Sequence, residues 1–371
     1  MNKAEPTKRF QILSLSGGGY RGLHVARILE IIEENIERPV AQHFDLIAGT
    51  SIGGIIALAL ALEIPAQRIR KALEDVGPKL FPQLPPDFSE TRRLFARPGI
   101  LSKLMYGCCN WHALNAEHKA AMKAWYDPSP LAAVLSAPDF FGEQKIAELL
   151  HPVIVPAVNY SSGLPKFFKT DHHPNFTFDR KLFIKDVALG TSAAPVYFPA
   201  HQVGDTRIVD GGLIANDPTH VAVHEAMKFF DVRPPLFGDD PSGMDDLRVL
   251  SIGTLAPRHF ADAKRPLDQG LLDWGTGAFE LAASAQESMS AFMIDKHMLP
   301  EKVFRLPSMD ARPEKAPGLA DATPVSSEIL RASASSLSQY AFGDVRFREF
   351  FDHRARLLCD VRNSHSPKEK P

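Results

Sequence analysis

The chain has 371 residues, 44% of them hydrophobic, enough to bury a large core as one enlarged domain or as a core with insertions. A formal net charge of −2 excludes a general basic footprint for a nucleic-acid polymer, and three cysteines (Cys108, Cys109 and Cys359) make no disulfide framework and fit a reducing compartment. Met1 to Arg9 is polar without an apolar stretch, so no signal peptide is expected, and the longest apolar run, Ile52 to Leu62, falls short of the roughly 20 residues that span a bilayer.

In chain order, Phe10 to Ser16 reads as a strand and Tyr20 to Ile36 as a helix, with Leu23, Ile28, Leu29, Ile31 and Ile32 at helical spacing. Between them Gly17 to Gly22 spells G-x-G-x-x-G, which matches a dinucleotide fingerprint. That reading requires an acidic residue closing the second strand, and Asp45 stands at that strand's start, the wrong end. The alternative is an oxyanion hole. Gly17, Gly18 and Gly19 at a helix N-terminus would expose backbone N–H groups, each worth roughly 3–4 kcal/mol to a developing oxyanion. A simple tight turn is the third reading, although a turn rarely needs three glycines.

Phe44 to Ala48 reads as a buried strand and Ile52 to Leu62 as a buried helix. The residues between, Gly49-Thr50-Ser51-Ile52-Gly53, match G-x-S-x-G, the strand-to-helix turn that presents a nucleophilic serine at the positive end of a helix dipole. Gly49 and Gly53 let the backbone pass without side-chain clashes.

A proline-rich stretch follows from Gly77 to Pro138, with Arg92, Arg93, Arg97 and Lys103 near Phe95, Tyr106 and Trp111 and helical pieces expected near Ala113 to Tyr126. The next strand is expected at Val153 to Val158, so residues 78–150 read as a long insertion, either a packed lid over a cleft or a regulatory surface. Further strands are expected at Lys166 to Lys169, Ile208 to Asp210 and Leu247 to Ile252.

Thr206 to Gly212 reads as a strand ending in Asp210 followed by two glycines, and Asn216-Asp217-Pro218 caps a helix running to about Phe230. A carboxylate at a strand's carboxyl end could accept the proton of Ser51; a solvated turn aspartate is the plainer reading. His220 and His224, four apart on the following helix, are the alternatives for a Ser-Asp-His triad or a metal pair, but no Glu-x-x-His partner or cysteine cluster accompanies them. Beyond Thr254, Leu271 to Leu299 reads as a long helix, Val303 to Leu306 as a strand, and Ser327 to Tyr340 and Asp344 to Val361 as helices. Asp310 to Pro324 reads as a surface loop and Ser364 to Pro371 as a disordered tail.

Taken together, Ser16 to Gly22, Gly49 to Gly54, Ala188 to Phe198 and Asp210 to Gly212 resemble the patatin-like phospholipases in order and in flanks, over roughly Phe10 to Thr254. The resemblance implies an α/β fold: a three-layer α/β/α arrangement on a mainly parallel central sheet, with a long insertion after the nucleophile helix and a helical C-terminal extension. It divides the chain into a catalytic core at 8–255, an extension at 256–362 and a tail at 363–371. It also implies an acyl hydrolase with a Ser–Asp dyad: Ser51 as nucleophile, Asp210 as base, Gly17 to Gly19 as oxyanion donors, and Arg21, Gly49, Gly53 and Gly211 supporting the site.

Overall length and the enlarged middle segment are similar to the bacterial members that act as effectors in cyclic-oligonucleotide anti-phage signalling. This implies a phospholipid membrane surface as substrate, a cyclic di- or trinucleotide as activator, Arg92, Arg93 and Arg97 as candidate ligand-binding residues, and a homo-oligomer as a candidate assembly. It places the enzyme in the cytoplasm at the inner face of the membrane, with no metal or other cofactor. An enzyme freely degrading membranes would harm its own cell, which favours a controlled off state. Outside that reading stand a constitutive lipid acyl hydrolase, a soluble esterase or thioesterase with the same dyad, and a non-enzymatic binding module. The presence of both Ser51 and Asp210 argues against the last.

Overall fold

The computed structural model describes residues 9–82, 123–235, 245–256, 277–299, 301–306 and 316–364. Arg92, Arg93, Arg97, Lys103, Cys108, Cys109 and the expected tail after Ser364 lie outside the described residues, as does most of the expected helical piece at Ala113 to Tyr126. Strands β1 (Arg9–Leu15), β2 (Leu46–Gly49), β3 (Val153–Asn159), β4 (Leu164–Lys169), β5 (His201–Val203), β6 (Thr206–Asp210), β7 (Asp246–Ile252) and β8 (Val303–Leu306) form one sheet in the order β5-β6-β3-β2-β1-β7-β8, with β4 paired to β3. The pairings among β8, β7, β1, β2 and β3 are parallel, whereas β4 and β6 run antiparallel to β3 and β5 antiparallel to β6.

Strand residues alternate between two buried faces, as a sheet covered on both sides requires. Leu13, Leu15, Ile47, Val155, Leu250 and Ile252 join one core with the helices Gly22–Ile36, Ile52–Ala61, Ala66–Leu80 and Pro324–Gly343. Phe10, Ile12, Leu46, Ala48, Ile154 and Val249 join the other, against the helix Thr219–Phe229. This is the expected α/β/α layering. The helix Ile52–Ala61 is buried at every position, which is why its residues are apolar all round rather than striped.

The described structure departs from the sequence reading at several elements. The first strand begins at Arg9, and the second is shorter, with Phe44 and Asp45 preceding it. A short helix, Gly212–Ala215, stands between Asp210 and the helix expected after Pro218. Trp125 and Tyr126 are not helical; their N–H groups donate to the carbonyls of Val196 and Tyr197. The expected helix Asp344 to Val361 is broken into Val345–Arg348, a 3-10 turn at Glu349–Asp352 and Leu358–Ser364. The chain between them is tied elsewhere: Ala355 N–H donates to the Gln42 carbonyl and Leu358 N–H to the Leu150 carbonyl.

Candidate active site

Ser51 joins β2 to the helix Ile52–Ala61 at φ 55° and ψ −125°, a conformation that a non-glycine residue adopts only when its surroundings enforce it. The enforcement is visible. The Ser51 N–H donates to Thr191 Oγ1 at 3.0 Å, Thr191 Oγ1 donates to the Pro156 carbonyl at 2.7 Å, and the Gly54 and Ile55 N–H groups donate to the Ser51 carbonyl. The flanking glycines are sterically required. A Cβ on Gly49 would stand 2.1 Å from the Gly53 carbonyl oxygen, and one on Gly53 would stand 2.3 Å from that of Leu15.

Ser51 Oγ donates to Asp210 Oδ2 at 2.6 Å, across 159 positions of chain. The other carboxylate oxygen, Oδ1, accepts the Gly212 N–H at 2.6 Å, and the Asp210 N–H donates to the Ala193 carbonyl. Asp210 is 1% exposed. Burial outweighs these two hydrogen bonds and pushes its carboxyl up to about 7. An aspartate, ordinarily a weak base, is thereby brought to a strength suited to neutral pH.

The route by which Asp210 arrives differs from the simple strand-end rule. β6 runs antiparallel to β3, so its carboxyl end points back toward the sheet. β3 extends past the end of β2, pairing Asn159, Val158 and Ala157 with Ile208, Val209 and Asp210, and this descent brings the carboxylate to Ser51. Gly211 is held against β3; a Cβ there would lie 2.2 Å from the Pro156 carbonyl oxygen.

The glycine loop lies beside the dyad, and its three members are not equivalent. The Gly17 N–H, expected as an oxyanion donor, donates to the Asn216 carbonyl at 2.9 Å. A Cβ there would lie 2.4 Å from Asn216 Oδ1 and 3.2 Å from Ser51 Cβ. Gly18 and Gly19 N–H have no acceptor among the described residues. Gly19 is at φ +57°, and a Cβ on it would meet the Leu319 carbonyl oxygen at 2.4 Å. Arg21 is buried and its Nε donates to the Gly18 carbonyl at 3.3 Å, tying the loop's turn together.

The expected alternatives for the base are elsewhere. His224 is exposed, and His220 is half-buried beside Asp217 with its Nδ1 unpartnered among the described residues. Asp217 itself is committed to structure, accepting from Arg305 Nη1 at 2.8 Å and from the Thr219 N–H at 2.9 Å. Among the described residues no group of three or more His, Cys, Asp or Glu side chains is arranged to hold a metal ion.

Ser51, Asp210 and Gly17 to Gly19 line a cleft with about 1080 Å³ of open space. Its walls are largely apolar, formed by Ile55, Leu73, Leu80, Phe81, Phe198 and Leu319. Three contributors were not singled out from the sequence. Thr191 stands within the segment that resembles the family without a signal of its own, and Thr254, whose Oγ1 donates to the Gly17 carbonyl at 3.1 Å, stands at the limit of the resemblance. Leu319, in the C-terminal part of the chain, accepts the Tyr20 N–H at 2.8 Å on its carbonyl while its side chain faces the cleft. No local signal marks Leu319.

A strained serine at a strand-to-helix turn, bonded to a buried aspartate beside a glycine loop on a mainly parallel sheet, is the site of a patatin fold. Residues 13–223 match the family described as patatin-like phospholipase, and the chain belongs to that family of carboxylic ester hydrolases. The chain is 36% identical over 351 residues to a Pseudomonas aeruginosa protein named cGAMP-activated phospholipase, with 93% of each chain covered. A Vibrio cholerae protein of the same name is 32% identical, covering 89% of this chain and 88% of its own. An Escherichia coli protein of that name is 36% identical over 67% of this chain and 62% of its own.

Proposed function

We propose that the enzyme is a phospholipase A-type acyl hydrolase that cleaves acyl esters of membrane phospholipids through a Ser51–Asp210 dyad, and that a cyclic dinucleotide switches it on. The observation that carries the chemistry is the 2.6 Å hydrogen bond between Ser51 Oγ and an Asp210 carboxylate whose pKa burial has pushed up to about 7. The ionised carboxylate takes the Ser51 proton as Oγ attacks the ester carbonyl, and the Gly18 and Gly19 N–H groups receive the oxyanion. Collapse expels the lysophospholipid alcohol, which leaves with the proton from Asp210. Water, deprotonated by the same carboxylate, then releases the fatty acid from the acyl-serine.

The apolar cleft suits an acyl chain, and no helix among the described residues is long and apolar enough to cross a membrane, so lipid would be met at the bilayer surface. Control by a cyclic dinucleotide is supported by the names of the three relatives above. The insertion with Arg92, Arg93 and Arg97 is the proposed region for it: cations for phosphates, and aromatic faces for bases. In the proposed domain division, this insertion belongs to the core at 8–255 and the extension at 256–362 packs on it. The deciding experiment measures fatty-acid release from phosphatidylethanolamine and phosphatidylglycerol vesicles with and without cGAMP. Release that depends on the nucleotide and on Ser51 supports the reading. Release at full rate without nucleotide identifies a constitutive lipase, and hydrolysis of p-nitrophenyl butyrate alone a soluble esterase.

A further inference from the structure

A second cavity lies across the chain segment that holds the dyad in place. It has about 540 Å³ of open space, and Leu131, Ser192 and Phe198 line both it and the catalytic cleft. The partition between the two is the stretch whose Thr191 and Ala193 hold the Ser51 and Asp210 backbones. We propose that this cavity receives the second acyl chain of a diacyl glycerophospholipid whose other ester is presented to Ser51. The proposal rests on the phospholipase reading above and deepens it.

The lining decides the class of occupant. Pro128, Ala132, Leu189 and Pro199 supply apolar surface, and among the described residues no Lys, Arg, Asp or Glu lines it. Its polar side chains are two serines and His201, whose Nε2 is engaged by Asp186 at 3.2 Å. A phosphate or a charged head group would find no counter-charge in the described lining, whereas a hydrocarbon chain suits its largely apolar walls. Position points the same way. The two chains of one lipid leave neighbouring glycerol carbons, so they must part within a few bonds of the ester under attack. Leu131 and Phe198 line both the cleft that contains Ser51 and the second cavity, so a lipid straddling them would have one chain on each side.

The test fills the second cavity without touching the first. Ala200→Trp adds bulk at an exposed position of the rim, and Ala132→Phe adds it from the half-buried face of the helix Ser129–Leu135. Each variant is assayed, with cGAMP present, on dioleoyl phosphatidylethanolamine, on oleoyl lysophosphatidylethanolamine and on p-nitrophenyl butyrate. Hydrolysis of the diacyl lipid should fall by about tenfold or more, while the two single-chain substrates stay within about twofold of wild type. An equal fall on diacyl and lyso substrates, or no fall in the folded Ala200→Trp enzyme, overturns the proposal. If Ala132→Phe does not fold, Ala200→Trp alone decides. A wild type that cleaves the butyrate but neither lipid refutes the phospholipase reading itself, and is recognised before any variant is made.

Discussion

The Ser51 backbone N–H donates to the Thr191 hydroxyl at 3.0 Å, and that hydroxyl in turn donates to the Pro156 carbonyl at 2.7 Å. The Thr191 carbonyl also accepts the Gly211 N–H, so one residue braces the turn carrying Ser51 and the turn following Asp210. Thr191→Val keeps the shape and leaves two buried backbone groups unpaired, which should cost about 1–3 kcal/mol of stability. Ser51 would relax from its strained conformation, so kcat should fall with KM little changed, and Thr191→Ser should restore most of both. Denaturation and steady-state kinetics on the three proteins check this. Unchanged kcat in the valine variant would show that Thr191 serves the fold alone.

The proposed dyad has a pH signature. Ser51→Ala should abolish hydrolysis, and Asp210→Asn should come close to doing so, because an amide cannot take the serine proton. With its carboxyl at about 7, Asp210 is largely protonated in mild acid, so wild-type kcat/KM should rise with pH and level off above about 7. Stability should move in the opposite sense. The folded state holds the Asp210 proton more tightly than the unfolded chain, so burial of the charge removes stability as pH rises from about 4 to about 7. Asp210→Asn should therefore melt higher than wild type at pH 8, and the difference should shrink to nothing near pH 4. Melting curves at the two pH values decide. If Asp210→Asn keeps near wild-type turnover while His220→Ala loses it, the dyad is wrong.

His24 sets an acid limit. Burial in the helix Gly22–Ile36 pulls its pKa down to about 4, against the weaker opposing effect of its Nδ1 contact with the Leu330 carbonyl. The unfolded chain binds this proton more readily, so stability present above about pH 6.5 is lost as pH falls toward about 4. The total is on the order of 3 kcal/mol. His24→Leu should flatten that part of the melting-temperature profile between pH 6.5 and 4. An unchanged acid slope would assign it to other groups.

The features legible in the sequence are those that a few consecutive residues determine. Ser51 with Gly49 and Gly53 is such a feature in its pattern, and the nearest clash that forces Gly49 comes from Gly53 itself, although Gly53 is forced by the Leu15 carbonyl at the end of β1. Asp210 was legible as a strand end, but its approach to Ser51 depends on β6 running against β3, a matter of pairing rather than of local pattern. The fate of the Gly17 N–H was not legible, since its acceptor, Asn216, closes the short helix Gly212–Ala215, far along the chain. The break after Arg348 was hidden for the same reason: helical spacing continues in the sequence, while the backbone of Ala355 and Leu358 is taken by Gln42 and Leu150.

The last prediction concerns how the C-terminal part of the chain enters the site. The Leu319 carbonyl receives the Tyr20 N–H, its side chain presses on Gly19, and Tyr20 Oη pairs with Ser327 Oγ at 2.7 Å. The glycine loop is thus backed by residues some 300 positions away in sequence. Gly19→Ala meets two obstacles, the Leu319 carbonyl oxygen at 2.4 Å and a φ of +57°, so the loop must move and the proposed oxyanion donor with it. Turnover should fall on the order of a hundredfold, as for the loss of one donor. Gly18→Ala, which meets the Thr254 side chain at 2.4 Å, should fall comparably. Leu319→Ala should behave differently, because it keeps the carbonyl and removes only apolar wall. Its KM for long-chain esters should rise while kcat on p-nitrophenyl butyrate stays near wild type. Kinetics on esters of increasing chain length separate the two effects. A Gly19→Ala enzyme with full turnover would show that this loop is a turn and nothing more.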